Sequence, residues 1–554
     1  MKINELFCEL GQSEHREKCP KTAPNSAYML RSRWSLRASP HFHIRYHYGE
    51  NVIYARNVVR KHRRCFMLRY SFLLLLLLSA FTTKRLQAND EMNSLIIDRN
   101  NPEISSVLSR LETFLDSVYQ ETHLVGMSVA VIYDQNILWS RGFGYANIES
   151  QVLTNEKTIY DISSVTKIFT ATMLMHLRDA GRVHLDDPLL KYLPEFHLKS
   201  RFPGPKPPTF KQVIAHVAGL PRESAALVTE GNMAFPSIDA MLENLKDMEM
   251  ILPAFTEVKY SNLGYALMGL ALGRAAGQTF KEYVVENILQ PLGMKNSGWE
   301  LTDVMKSRMA VGYEPLQADQ TRGIALHYEL GEAGAPTGGL YTSVEDMSRF
   351  VSLQFREGPA GGTQILGSTT LREMRSPVFL LNNWEGAVGI GWWLSRVAGY
   401  DVIDHGGGGP GFVAKVLLVP KLKLGFVIFI NQMADQHSIS HKALQLLIPV
   451  FSKLHARQTV KPLPPEASSY VGRYTMQEGI TIDVIIRDEQ LIMAQLHEGK
   501  KVDEWQLILE KGHRYRMQGG PLNGEVALFE VDSKGQVIRI DAGGYVVHPI
   551  DKKD

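Results

Sequence analysis

Strand-like apolar segments lie at 127–133 and 137–144 and again at 391–397, 412–419 and 424–431, with a long helical stretch between the two groups. Neither group is large enough to make a well-covered sheet of its own. The pattern therefore predicts one antiparallel sheet closed by strands from both ends of a domain. Asp134-Gln135-Asn136 reads as the turn of the first hairpin. An amphipathic helix is predicted over 103–123, where Ile104, Val107, Leu108, Leu111, Phe114, Leu115 and Val118 fall at helical spacing. A second helix runs over 163–180 and stops at Gly181, a third begins near Asn262, and a terminal helix spans 439–454. In the third, Leu263, Leu267, Leu270 and Ala271 form the packed face, and Gly264, Gly269 and Gly273 permit close approach of a neighbour. Either Thr342 with Glu345 or Ser343 with Asp346 has the spacing of a capping box. The predicted fold class is α/β, a sheet flanked by helices.

Pro462, Pro464 and Pro465 mark a linker over 456–469, separating a main domain over 89–455 from residues 470–554. Short β-like runs at 480–486, 490–494, 514–517, 527–531 and 537–542 make the latter a small all-β unit, a barrel or a sandwich. A chain of 554 residues, 44% hydrophobic and 21% charged, suits two folded units. Its net charge of +2 gives no global electrostatic case for nucleic acid, so none is expected as a partner.

The start of the chain differs from the rest. Residues 1–66 are rich in Arg and His without an apolar period, and read as a poorly folded extension or as sequence upstream of a true start at Met67. Residues 67–88 read as a signal peptide: Arg69, the leucine run 73–78, then a weak cleavage site ending at Ala88. An uncleaved anchor, or transient membrane contact through 67–88, is the competing reading of that segment. Export to the periplasm or the medium is the expectation. All three cysteines, Cys8, Cys19 and Cys65, precede this point, so the mature chain would have no cysteine nucleophile, disulfide or thiolate metal site.

Ser164-Val165-Thr166-Lys167 places a hydroxyl and an amine three residues apart at the start of an apolar helix, on one face. A lysine kept neutral by burial can take the serine proton, and free N–H groups of the first turn can receive charge developing on a carbonyl oxygen. Taken alone, such a pattern is more often a surface serine beside a solvated lysine. Two further segments accompany it, Tyr260-Ser261-Asn262 before a glycine-bearing helix and His405-Gly406-Gly407-Gly408-Gly409 between two strand-like runs. Each has a bland reading: Tyr260 as a packed aromatic, Asn262 as a helix N-cap, His405 as structural, the glycines as a loop. His437 and His441, four apart, lack a convincing third ligand, so no metal is expected and no other cofactor is implied.

In this order the three motifs resemble those of the serine beta-lactamase and penicillin-binding superfamily, in particular its class C-like branch of D-Ala-D-Ala carboxypeptidases, D-aminopeptidases, esterases and beta-lactamases. The resemblance covers about 103–454. It implies that Ser164 is acylated, that Lys167 and Tyr260 handle its proton, and that Asn262 binds a substrate amide or orients Lys167. It further implies that His405, Gly406 and Gly407 lie on the strand edging the cleft, with the Ser164 and Gly408 amides as oxyanion hole. His405 would hold a hydrogen bond with Tyr260 or meet a substrate carboxylate. Losing one oxyanion donor in such chemistry costs roughly 3–4 kcal/mol. The segment from Tyr470 resembles the lipocalin-like β domain appended to some members, where it shapes the cleft entrance or mediates homo-oligomer contacts.

The implied activity is hydrolysis of a small peptide, ester or lactam through an acyl-serine, with a D-amino-acid peptidase, carboxypeptidase or esterase preferred. A beta-lactamase is disfavoured because His405 stands where efficient beta-lactamases carry lysine. A penicilloyl-binding sensor, or a noncatalytic cell-wall-associated scaffold, is the alternative class. Val217 and Ala218, where the branch usually has small hydroxyl residues, favour a supporting role for the His216–Gly219 loop. No glutamate stands out as a deacylating base.

Overall fold

The computed structural model describes residues 97–550, apart from 205, 225–227, 230–231, 234, 327–329, 359–361, 460–462 and 478. The extension 1–66, the signal segment 67–88, all three cysteines and the middle of the 456–469 linker lie outside the described residues.

Helix α1 (Pro102–Glu121) opens the main domain. Asn101 caps it by accepting from the Glu103 and Ile104 amides at 2.9 and 3.3 Å, and Pro102 occupies the first position, where no amide is needed. Strands β1 (Gly126–Tyr133), β2 (Asn136–Asn147) and β3 (Val152–Leu153) follow. Then come helices α2 (Lys167–Asp179), α3 (Asn262–Ala276) and α4 (Val344–Leu353). Strands β4 (Phe379–Leu380), β5 (Ala387–Val388), β6 (Trp393–Val397), β7 (Tyr400–Gly409), β8 (Phe412–Val419) and β9 (Leu424–Ile430) return to the sheet. Helix α5 (Gln436–Thr459) closes the domain and runs beyond 455.

The sheet has nine strands in the order β3-β2-β1-β9-β8-β7-β6-β5-β4, so the expected joining of the two ends occurs between β1 and β9. That pair is antiparallel from Met127 opposite Ile430 to Tyr133 opposite Leu424. Alternation divides β1 between two cores. Met127, Val129 and Val131 pack with α1 and α5 on one face, and Ala130 and Ile132 pack with α2, α3 and α4 on the other. Strands buried on both faces explain why these segments are apolar at nearly every position.

One strand was legible only through the resemblance, which placed His405, Gly406 and Gly407 on it. The glycine run, read from residue types alone as a connection, is the end of the ten-residue strand β7. Four glycines have little intrinsic preference for a strand, but β8 is apolar on both faces and dictates pairing through Gly409 opposite Phe412. Among the capping alternatives, Ser343 caps α4 by accepting from the Asp346 amide at 3.1 Å.

The C-terminal unit is a closed antiparallel barrel of eight strands, β10 (Gly472–Gln477) to β17 (Tyr545–Pro549), in sequential order. It closes where Tyr474 meets Pro549 and Thr475 meets His548. Side chains fill its interior, with Tyr470 stacked on Phe529 at 4.5 Å beside Trp505, Tyr515 and Met517. Among the described residues no helix is long and apolar enough to cross a membrane.

Leu111 is wholly buried between α1 and the sheet, so Leu111→Ala should cost about 2–5 kcal/mol of unfolding free energy. Glu103 meets Lys453 and Arg457 of α5 at 2.8 and 2.6 Å, but on the surface. Glu103→Gln should cost no more than about 1 kcal/mol. Urea unfolding of both variants checks the contrast.

Candidate active site

The Ser164 turn is built before the helix that follows it. A short ladder joins Tyr160–Asp161 to Tyr341–Thr342, and the Asp161 carboxylate accepts the Ser163 amide at 2.7 Å. Ser163 has φ of +46°, a left-handed conformation costly for a residue with a β-carbon, and strain of this kind collects at functional sites. The chain then makes a 3-10 turn, Ser163–Thr166, so Ser164 precedes the α-helix and Lys167 is its first residue. Ser164 is half-buried and opens onto a cleft of about 640 Å³.

Lys167 is wholly buried. Its Nζ lies 3.2 Å from Ser164 Oγ and 2.7 Å from the Thr337 carbonyl. The rings of Tyr260 and Tyr265 face the same nitrogen at 5.0 and 5.4 Å. Burial pulls the amine below its usual pKa, while the Tyr260 phenol and the Glu223 carboxylate pull weakly the other way. A neutral amine has two N–H groups and one lone pair. The Thr337 carbonyl can only accept, so it takes one N–H and orients the amine, leaving the lone pair free for the Ser164 proton.

Gly269 makes that carbonyl contact feasible. A β-carbon there would fall 2.0 Å from Pro336 Cγ, so only glycine lets the Pro336–Thr337 segment rest against α3. The Pro336 carbonyl in turn accepts from Thr170 Oγ1 at 2.7 Å, fastening the segment to the helix that carries Lys167.

Tyr260 precedes α3. Its ring stacks on His216 at 4.3 Å and carries the Arg222 guanidinium at 5.1 Å, next to Ser164 on the cleft wall. The helix N-cap is Ser261, which accepts from the Gly264 amide at 2.8 Å, and not Asn262, which is one residue too late. Asn262 instead donates Nδ2 to Glu223 Oε1 at 2.6 Å, and its Oδ1 is buried without a partner. Freed from capping, its amide is available for the role expected of it.

The glycine strand reaches the same place. Strand β6 pairs with β7 only as far as Trp393 opposite Asp404, so His405–Gly409 pair with β8 on one edge, and His405–Gly408 border the cleft. A β-carbon on Gly407 would sit 2.1 Å from the Ile162 carbonyl and 3.1 Å from the Ser164 amide. The strand backbone therefore lies directly beside the nucleophile turn, as an oxyanion hole made from the Ser164 and Gly408 amides requires. Gly406 and Gly408 also line the cleft.

His405 is buried and points its Nδ1 at the Gly406 carbonyl, 2.8 Å away. Burial lowers its pKa to about 3, with Lys167 when protonated as the next cause, so the ring is neutral with Nε2 as acceptor. Such a ring suits a hydroxyl or an N–H.

Sequence reasoning overlooked several groups in or beside the cleft. Glu223 has its carboxyl pKa raised by burial, and its Oε2 has no hydrogen-bond partner. It lies four residues beyond the His216–Gly219 loop, the signal that could have found it. Asp404 and Lys415 form a buried ion pair on adjacent strands, and both line the cleft. A lysine inside the otherwise apolar run of β8 was the clue. Among the described residues no cluster of three or more metal-type ligands gathers.

Comparison with known proteins agrees with this geometry. Residues 110–448 match the family described as Beta-lactamase. "Beta-lactamase-like protein 2" of Dictyostelium discoideum is 30% identical over 427 residues, covering 72% of this chain and 76% of that protein. "Protein flp" of Staphylococcus aureus strain MW2 is 26% identical over 58% of this chain and 62% of its own length. Two solved structures share the fold. The octameric penicillin-binding protein homologue from Pyrococcus abyssi has TM-score 0.55 and 22% identity, over 79% of this chain and 99% of its own. The beta-lactamase/D-alanine carboxypeptidase from Pseudomonas syringae has TM-score 0.53 and 18% identity, over 62% and 99%.

Two outcomes follow. Gly407→Ala should displace the Ser164 turn and reduce turnover by about a hundredfold with a cooperative fold retained, measured by steady-state kinetics beside circular dichroism. Lys167 has a folded pKa below its unfolded value of 10.5. Between those two values the unfolded chain binds the extra proton, so stability should climb with pH toward 10.5. Lys167→Met should flatten that slope in denaturant unfolding across a pH series.

Proposed function

The chain belongs to the beta-lactamase family, and from that premise we propose that it is a serine hydrolase acting through an acyl-enzyme on a D-amino-acid peptide or a small ester. The observation that carries the reading is the buried Lys167 amine, 2.7 Å from the Thr337 carbonyl and 3.2 Å from Ser164 Oγ.

The reaction divides into two halves. Ser164 Oγ attacks the substrate carbonyl as its proton passes to Lys167, and the Ser164 and Gly408 amides receive the charge on the carbonyl oxygen. Tyr260, within reach of the Lys167 amine, carries the proton to the departing amine or alkoxide. In the second half a water attacks the acyl-serine and Tyr260 or Lys167 takes its proton. Asn262 binds a substrate amide, and the His405 Nε2 accepts from the Tyr260 hydroxyl or from a substrate N–H. Gly406 and Gly407 let the acyl group lie against bare backbone.

Peptide or ester is favoured over lactam because the neutral His405 takes the place of a lysine on the cleft strand. The C-terminal unit is read as a lipocalin-like domain, on the support of its eight strands in simple up-and-down order. Self-association belongs to the same proposal, supported by the octameric state of the Pyrococcus abyssi homologue. Export through residues 67–88 rests on their composition.

Purified protein should be labelled at Ser164 by a fluorescent penicillin or a fluorophosphonate and should turn over esters or D-amino-acid amides. Ser164→Ala should abolish labelling and lower turnover more than about a thousandfold. A burst of one equivalent followed by very slow release would assign the sensor role instead. A folded protein that is neither labelled nor active on peptides, esters or lactams would exclude the reading.

A further inference from the structure

We propose that His216 is a positioning residue for this reaction: it holds the Tyr260 phenol against Lys167 by gripping the main chain on both sides of Tyr260 and covering its ring. The inference rests on the serine-hydrolase reading and names a component of its proton path.

Three contacts make the grip. The His216 carbonyl accepts the Lys259 amide at 2.8 Å, one residue before Tyr260. Its Nδ1 accepts the Ser261 amide at 3.1 Å, one residue after. Its ring stacks on Tyr260 with centroids 4.3 Å apart and planes 30° apart, and on its other contact meets Tyr265 at 4.9 Å. Tyr260 is thus fixed in position along the chain and in the plane of its ring, both by one residue that never touches the reacting atoms.

The local backbone shows that the turn alone does not call for histidine. A short helix, Phe210–Ile214, ends at Ala215, and His216 takes the position just beyond that cap with φ of +57°. Glycine or asparagine is the usual occupant of this left-handed position, because a β-carbon is strained there. His216 also carries a local defect. With Nδ1 accepting from an amide, the proton must reside on Nε2, and Nε2 is buried with no hydrogen-bond partner. Strain combined with an unpaired buried donor is a poor choice for stability. The return is the hold on Tyr260.

The grip requires the neutral ring, since protonated Nδ1 cannot accept from Ser261. The groups facing the ring are Lys167 from α2, His405 from β7 and Arg222 from the following loop, with Tyr260 and Tyr265 stacked against it, and a positive charge on any of the first three favours the neutral ring. Burial is the largest cause that holds His216 well below the usual histidine range.

Two substitutions separate the components. His216→Asn tolerates the left-handed backbone and presents an amide oxygen near the position of Nδ1, but lacks the ring. His216→Phe keeps a ring and lacks the acceptor. His176→Phe serves as a control for destabilisation, since it removes the bond between His176 Nδ1 and Tyr283 Oη of 2.7 Å at a site away from the cleft.

Each variant is assayed as the full chain for cooperative urea unfolding, for kcat, KM and the pH profile of kcat/KM on an ester, and for the rate of fluorophosphonate labelling of Ser164. His216→Phe should lose about a hundredfold in kcat with KM nearly unchanged, label correspondingly slowly, and shift the pH profile. His216→Asn should regain part of that loss and return the profile toward wild type, and His176→Phe should lower stability without moving the profile. A folded His216→Phe that labels and turns over at the wild-type rate overturns the inference and leaves the hydrolase reading standing. So do equal losses in both His216 variants with an unmoved profile, which mark packing alone. Wild-type protein that fails to label or react overturns the hydrolase reading, and this inference with it.

Discussion

An amine buried in a protein interior has to be oriented by something, and here the Thr337 carbonyl does so. Lys167 is wholly buried at the start of α2, with Thr337 and Ser164 as its hydrogen-bond partners and two tyrosine rings around it. Burial discourages the ammonium form, and the carbonyl fixes the direction in which the remaining lone pair points. The contact is reached through a chain of steric conditions. Glycine at 269 admits Pro336, Pro336 brings Thr337, and Thr170 ties the same segment back to α2. A side chain at 269 would therefore be felt at Ser164 and Lys167, although neither lies on α3.

The second condition comes from the sheet. Because its two halves meet between β1 and β9, β7 can lie inside the sheet with β8 on one edge while its last residues extend past the end of β6. That overhang brings bare backbone to the Ser164 turn, and the missing side chain of Gly407 sets how closely. The turns that lead into α2 and α3 supply Ser164 and Tyr260, α2 supplies Lys167, and the strand supplies the other wall. Neither wall is complete alone, which explains why residues more than two hundred positions apart share one site.

Much of this was legible in the sequence, for identifiable reasons. Strands buried on both faces are apolar throughout, so β1, β8 and β9 could be read almost to the residue, and the period of Ile104 to Leu115 gave α1 directly. The Ser164, Tyr260 and His405 segments were visible because each couples a reactive side chain to a turn or a glycine run. Residue types alone hid the end of β7, since its pairing is imposed by β8, and only the resemblance placed His405, Gly406 and Gly407 on a strand. Glu223, Thr337 and the Asp404–Lys415 pair were hidden for another reason. Their importance lies in what they touch, and contacts between distant segments have no local signature. His216 was judged as part of a supporting loop, which understated how directly it meets Tyr260.

The barrel has a property that the main sheet lacks. With eight strands joined in a ring, every one of them has a neighbour on each side, and the aromatic filling around Tyr470, Tyr515 and Phe529 leaves little room within. It can neither recruit another chain by extending a ladder of main-chain hydrogen bonds nor accommodate a sizeable guest without repacking. Whatever meets this module must read its outer side chains, among them the exposed Leu528, Ile538 and Val546. Recognition there is consequently a matter of surface residues, free to diverge without disturbing the ring that displays them.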